Sequence, residues 1–257
     1  MALLDPLRTW TTLVNMDGNE GQPPEGALHH STSTPGPATS GSTNGEASLP
    51  RLHPSVEPYD PHTVLCCLAE AVRPTPKGQL HLDRRLFISR NGMAFAFAAT
   101  SHRDGHIRGL GYAVLAGFHR HLMRWSPPDG DSSSRARNEE KKRFLTGDDF
   151  NERTLYLFAE QFFRDSLPEP NYRVPHVVAH FFARLSKLML SPGDACFAPL
   201  MSFLALKPQL RMDTVPEFLK MFFSSSTENH KAERQWVLKL CVESTLEPKD
   251  YQTLCRV

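Results

Sequence analysis

Along this chain apolar residues recur at the three- and four-residue steps of a helix face, and no segment alternates convincingly as a strand would. The strongest such segment is 171–190, NYRVPHVVAHFFARLSKLML. Val174, Val177, Val178, Phe181, Leu185, Leu188 and Met189 form its apolar face. Arg173, His176, His180, Arg184 and Lys187 repeat at the same period on the other side, as a basic stripe. Pro175 suits a first helical turn, where the N–H it lacks has no intrahelical partner, and Ser191-Pro192-Gly193 ends the segment. A helix with so wide an apolar face cannot stand alone, so other helices must cover it.

The same pattern predicts further helices. Residues 3–14 form a short amphipathic one through Leu7, Trp10 and Leu13. Asp60 and Pro61 start another, with Val64, Leu65, Leu68 and Val72 inward. A helix over 80–90 stops at Asn91-Gly92, and 93–99 is a short buried helix, because alanines rather than β-branched residues carry its alternation. Residues 104–125 make a long helix whose Gly109, Gly111 and Gly117 imply close approach to a neighbour. Helices follow over 150–166 (Leu155, Phe158, Ala159 and Phe162 inward), 196–206, 214–224 (capped by Thr214) and 228–246, the last two as an αα-hairpin. Helix starts spaced near twenty residues give pairs of about forty, the size of an armadillo or HEAT unit. The predicted fold is all-α, an α-solenoid of stacked helix pairs.

Composition divides this array. More than half of residues 17–50 are Gly, Pro, Ser or Thr, which predicts disorder and sets the first helix apart from the rest. Residues 1–58 are therefore read as largely disordered, 59–125 and 150–257 as helical-repeat segments, and 126–149 as a flexible linker. The first segment carries 2 Lys/Arg against 6 Asp/Glu and the remainder 27 against 22, a mild basic excess without polybasic character. Arg135, Arg137, Lys141, Lys142 and Arg143 form a loose nuclear-localisation pattern. No run reaches the roughly 18 apolar residues of a membrane helix, and MALLDPLRTW lacks the apolar core of a secretory signal. Five cysteines without CxxC spacing read as reduced thiols of an intracellular protein, with Cys66-Cys67 expected to be buried.

Candidate chemistry is sparse. His176 and His180 stand four apart, as two metal ligands would, but Val177-Val178-Ala179 between them lacks the glutamate of HExxH and no third ligand is near. The glycines of 105–111 follow no strand and do not space as GxGxxG, which excludes a dinucleotide fingerprint. Cys196 and Cys255 lack an oxyanion-forming context, and no carboxylate pair stands out, so nothing points to an enzyme, a cofactor or a small-molecule substrate. The basic stripe Arg173, His176, His180, Arg184 and Lys187 reads either as a solvated face or as a surface for RNA phosphates or acidic partners.

Long stretches carry a resemblance. YDP at 59–61, LFISRNGMAFAFAATSHRDGHIRGLGYAVLAGFHRHL at 86–122 and TLYLF at 154–158 resemble the nucleolar pre-ribosomal-associated protein family. EPNYRVPHVVAHFFARLSKLML at 169–190, VPEFLKMFFSSS at 215–226 and ERQWVLKL at 233–240 do so as well, in the family's order and toward its C-terminal region. The resemblance implies a nucleolar helical-repeat scaffold acting in early large-subunit assembly and rRNA maturation. Pre-ribosomal RNA and ribosome-assembly proteins would be its partners, with no catalytic residues. The chain is far shorter than family members and drifts from them after Leu240, as a fragment or isoform would. A cytoplasmic α-solenoid adaptor that binds peptide segments without RNA is the alternative.

Overall fold

The computed structural model describes residues 5–14, 16, 58–74, 82–124, 147–206, 210–223 and 228–256. Among them every regular element is a helix. The disorder expected of 17–57, most of the expected linker and the nuclear-localisation pattern lie outside the described residues.

Local chemistry sets the helix starts. Asp5 Oδ1 accepts from the Arg8 N–H at 2.8 Å at the head of α1 (Pro6–Val14). Asp60 does the same for Thr63 at 2.8 Å in α2 (Pro61–Ala71), whose first position is a proline, as the sequence predicts. Asp83 caps α3 (Arg84–Ser89) through the Leu86 N–H. Asn91, left-handed at φ 64°, then turns the chain directly into α4 (Gly92–Ala99). The long α5 (Gly105–Arg124) and α6 (Gly147–Asp165) follow, then α7 (His176–Leu188) with Pro175 as its N-cap residue. The order closes with α8 (Phe197–Leu206), α9 (Phe218–Phe223), α10 (His230–Ser244) and α11 (Pro248–Cys255).

All eight residues of α4 are buried. It packs against α5 and α7, and also against α1, α2 and α3, so the centre of the molecule is the α4–α7 contact rather than α7 alone. Every residue assigned to the apolar face of 171–190 is buried, from Val174 to Met189. Aromatic rings fill the space around them: Phe97 meets Phe163 edge-on at 5.1 Å, and Phe181 meets Phe203 and Trp236 at 5.4 and 5.7 Å. The Tyr156 hydroxyl crosses from α6 to donate to the Ser186 carbonyl at 2.8 Å.

Several expectations change. Helix α1 is not set apart: it packs on α4, buries Leu13 and Val14, and offers the Thr12 hydroxyl to the Tyr59 N–H at 2.7 Å. Ala159 and Phe162 are buried as expected, but Phe158 is 45% exposed, because α6 turns Tyr156 and Phe163 inward beside them. Thr214 is not at the head of α9, which begins only at Phe218, after Glu217, left-handed at φ 54°, and Leu219 points outward. The α9–α10 hairpin forms as expected. Cys66 and Cys67 are exposed rather than buried, since Val64, Leu65 and Leu68 take the inward face of α2.

Candidate interaction site

Most of the basic stripe of 171–190 is covered rather than open to solvent. Where the sequence sets out one open surface, α10 and α11 lie across that side of the helix and meet its cations with carboxylates. Arg173 pairs with Glu247, the N-cap residue of α11, and its Nε donates to the Ser101 carbonyl at 2.9 Å. Arg103, just beyond α4, reaches the same Glu247 oxygen at 2.7 Å. Burial raises the Glu247 carboxyl, but the hydrogen bonds from Arg173 and Arg103 outweigh it and leave its pKa below the ordinary value.

His176 is 3% exposed, and its Nδ1 sits 3.0 Å from Asp250. Asp250 also accepts from the Glu247 N–H at 2.7 Å and the Leu246 N–H at 3.1 Å, so one buried carboxylate holds both the histidine and the start of α11. His180 is buried. Arg184 donates to Glu243 on α10 at 2.9 Å, and its guanidinium lies 5.6 Å from the Trp10 ring and 6.0 Å from the Trp236 ring. Of the five stripe residues Lys187 alone is exposed.

This arrangement joins elements rather than presenting charge. Glu243, Glu247 and Asp250 were missed in the sequence, although Pro248 at the first helical position and Asp250 at the third mark a helix start. Without α11, nothing in the residues says that the stripe is covered. Among the described residues no group of three or more His, Cys, Asp or Glu is placed to hold a metal ion, and no helix is long and apolar enough to cross a membrane.

The described residues form an all-helical unit whose later helices are joined by ion pairs, and the relatives it matches share one name. The family described as Nucleolar pre-ribosomal-associated protein 1 matches residues 93–257, and the chain belongs to that family. Nucleolar pre-ribosomal-associated protein 1 of Mus musculus is 27% identical over 198 residues, which cover 77% of this chain and 8% of the relative. The protein of the same name from Homo sapiens is 25% identical over the same length and shares. The chain thus spans less than a tenth of the length of these relatives. No solved structure matches it.

Proposed function

We propose that this chain is a non-catalytic scaffold unit of ribosome biogenesis. It acts in the nucleolus, in early assembly of the large-subunit pre-ribosome and maturation of large-subunit rRNA, with pre-ribosomal RNA and assembly proteins as partners. The observation that carries the reading is the family match over 93–257, whose relatives are named as nucleolar and pre-ribosomal-associated. The all-α composition of the described residues is the feature shared with an armadillo/HEAT-like solenoid unit. Within that role Arg173, His176 and Arg184 serve to fix α10 and α11, His180 is buried, and Lys187 is the stripe residue left to meet a phosphate. The test is expression of the tagged full chain, with imaging and recovery of bound RNA. Nucleolar staining and co-purification of large-subunit precursor RNA are expected. Exclusion from the nucleolus, or recovery of neither precursor RNA nor assembly proteins, sinks the reading.

A further inference from the structure

The last two helices sort their charges. Between His230 and Arg256 the chain has four carboxylates, and all are turned inward or paired. Glu233 and Asp250 are buried, Glu243 pairs with Arg184, and Glu247 with Arg173 and Arg103. The three lysines of the same stretch, Lys231, Lys239 and Lys249, are exposed. What faces outward is therefore positive, and favours an anionic neighbour. Apolar residues lie among these cations. Leu238 is 49% and Val242 60% exposed; they stand four apart and so one above the other on α10, with Lys231, Gln235 and Lys239 beside them. The core side of the helix is held by Val237 and Leu240 instead. Leu219 and Phe223, also four apart, are exposed on α9, the other arm of the hairpin. A single exposed leucine is ordinary, but paired apolar residues on adjacent helices, rimmed by lysine, are the pattern of a surface that a partner covers.

We propose that the outward face of α10 docks an acidic amphipathic helix of a partner protein, its apolar side on Leu238 and Val242 and its carboxylates on Lys231 and Lys239. The strip Lys231, Gln235, Leu238 and Val242 follows one side of α10 for about 16 Å, at 1.5 Å per residue, and a helix laid along it meets it turn by turn. Both kinds of residue are then used, apolar against apolar and ammonium against carboxylate. An RNA strand uses only the lysines: its phosphates gain nothing from Leu238 and Val242, and an aliphatic side chain gives a base no ring to stack on. A second copy of this chain presenting the same face would set lysine against lysine. The inference goes beyond the ribosomal reading and does not depend on it, since it rests on the charge and exposure of α10 alone.

The test is fluorescence anisotropy of a labelled, capped helical peptide, leucine along one face and glutamate on the rest, titrated with the full chain. Micromolar to submillimolar binding that weakens with added salt is expected. Leu238, Val242, Lys231 and Lys239 are all exposed, so their variants should keep the helical circular-dichroism signal. Leu238→Ser with Val242→Ser should weaken binding roughly 10- to 100-fold, and Lys231→Glu with Lys239→Glu roughly 10-fold or more. Arg120→Glu, which removes an exposed cation from α5, should change nothing, and a peptide with lysine in place of glutamate should not bind. No binding at millimolar peptide overturns the proposal, as does binding that Leu238→Ser with Val242→Ser leaves unchanged. Two other results overturn it by naming a different occupant. A single-stranded oligoribonucleotide that binds more tightly than the peptide, and loses affinity in Lys231→Glu with Lys239→Glu, gives the face to RNA. A concentration-dependent dimer in sedimentation, abolished by Leu238→Ser with Val242→Ser, gives it to a second copy.

Discussion

A Cβ added at Gly111 would lie 2.9 Å from both the Ala96 carbonyl oxygen and Ala99 Cβ, so α5 rests against the backbone of α4 there. Gly117 is as constrained, 2.4 Å from Val72 Cγ2, whereas Gly109 has nothing within 4 Å. The close approach read from three glycines therefore holds at two. Gly111→Ala should destabilise by about 1–3 kcal/mol, because backbone cannot give way, while Gly109→Ala should stabilise by about 0.5–1 kcal/mol through helix propensity. Denaturant unfolding of the two variants checks this, and equal shifts would mean α4 and α5 are not in contact. Glu160 gives a pH prediction of definite sign. Burial, offset in part by the hydrogen bond and charge of His119, pushes its carboxyl from 4.5 up to about 7. Between those values the folded chain holds a proton that the unfolded chain has released, so stability falls as pH rises and the loss is complete above about 7. Glu160→Gln removes that term. Its stability relative to wild type should improve from pH 4.5 to pH 8 by up to about 3 kcal/mol, and a pH-independent difference would place the carboxyl in water.

At the scale of elements, α11 is held to α7 by a buried, hydrogen-bonded carboxylate and by the Arg173–Glu247 pair rather than by a wide apolar face. Asp250 serves His176 and two backbone N–H groups at once. Asp250→Ala removes all three contacts and should cost about 3–5 kcal/mol, as removing one side of a buried hydrogen-bonded charge does. The loss should persist at high salt, because buried pairs are weakly screened. A loss under about 1 kcal/mol would mean that α11 is not docked in solution. This dependence explains what the sequence made legible and what it hid. The apolar faces of α2, α5 and α7 follow from periodicity, and α4 from its alanine-rich run, since burial and helix period are both written in local order. The fate of the basic stripe is not local. Arg173, His176 and Arg184 find partners about sixty to seventy-five residues later in the chain, and no spacing rule connects them. Phe158 was misplaced for a related reason: α6 is amphipathic with aromatic residues on both sides, and only its neighbours decide which side is inward.

For the molecule as a whole, one apolar cluster runs from Leu13 in α1 to Leu240 in α10. Helix α1 enters it from the far side of the stretch 17–57, through contact with α4 and the Thr12–Tyr59 hydrogen bond. Arg184 strengthens this closure, because its guanidinium lies near the Trp10 ring of α1 and the Trp236 ring of α10 while it pairs with Glu243. Removing any one of these elements exposes apolar surface on the others, which is the physical origin of a cooperative transition. Two single-tryptophan variants report on the two elements, α1 and α10, that meet at Arg184. One keeps Trp10 (Trp125→Phe, Trp236→Phe) and the other keeps Trp236 (Trp10→Phe, Trp125→Phe), Trp125 lying outside the described residues. Each Trp→Phe exchange shifts stability on its own, so each variant is followed by both fluorescence and far-ultraviolet circular dichroism. In each, the two signals should give the same urea midpoint, since an all-or-none unit yields one transition to every probe. A Trp10 transition that precedes the helical signal would separate α1 from the core and reduce its contact with α4 to a loose association. A Trp236 transition that precedes it would instead divide the α10–α11 end from α4, and the seam on α7 would then be a hinge rather than a joint.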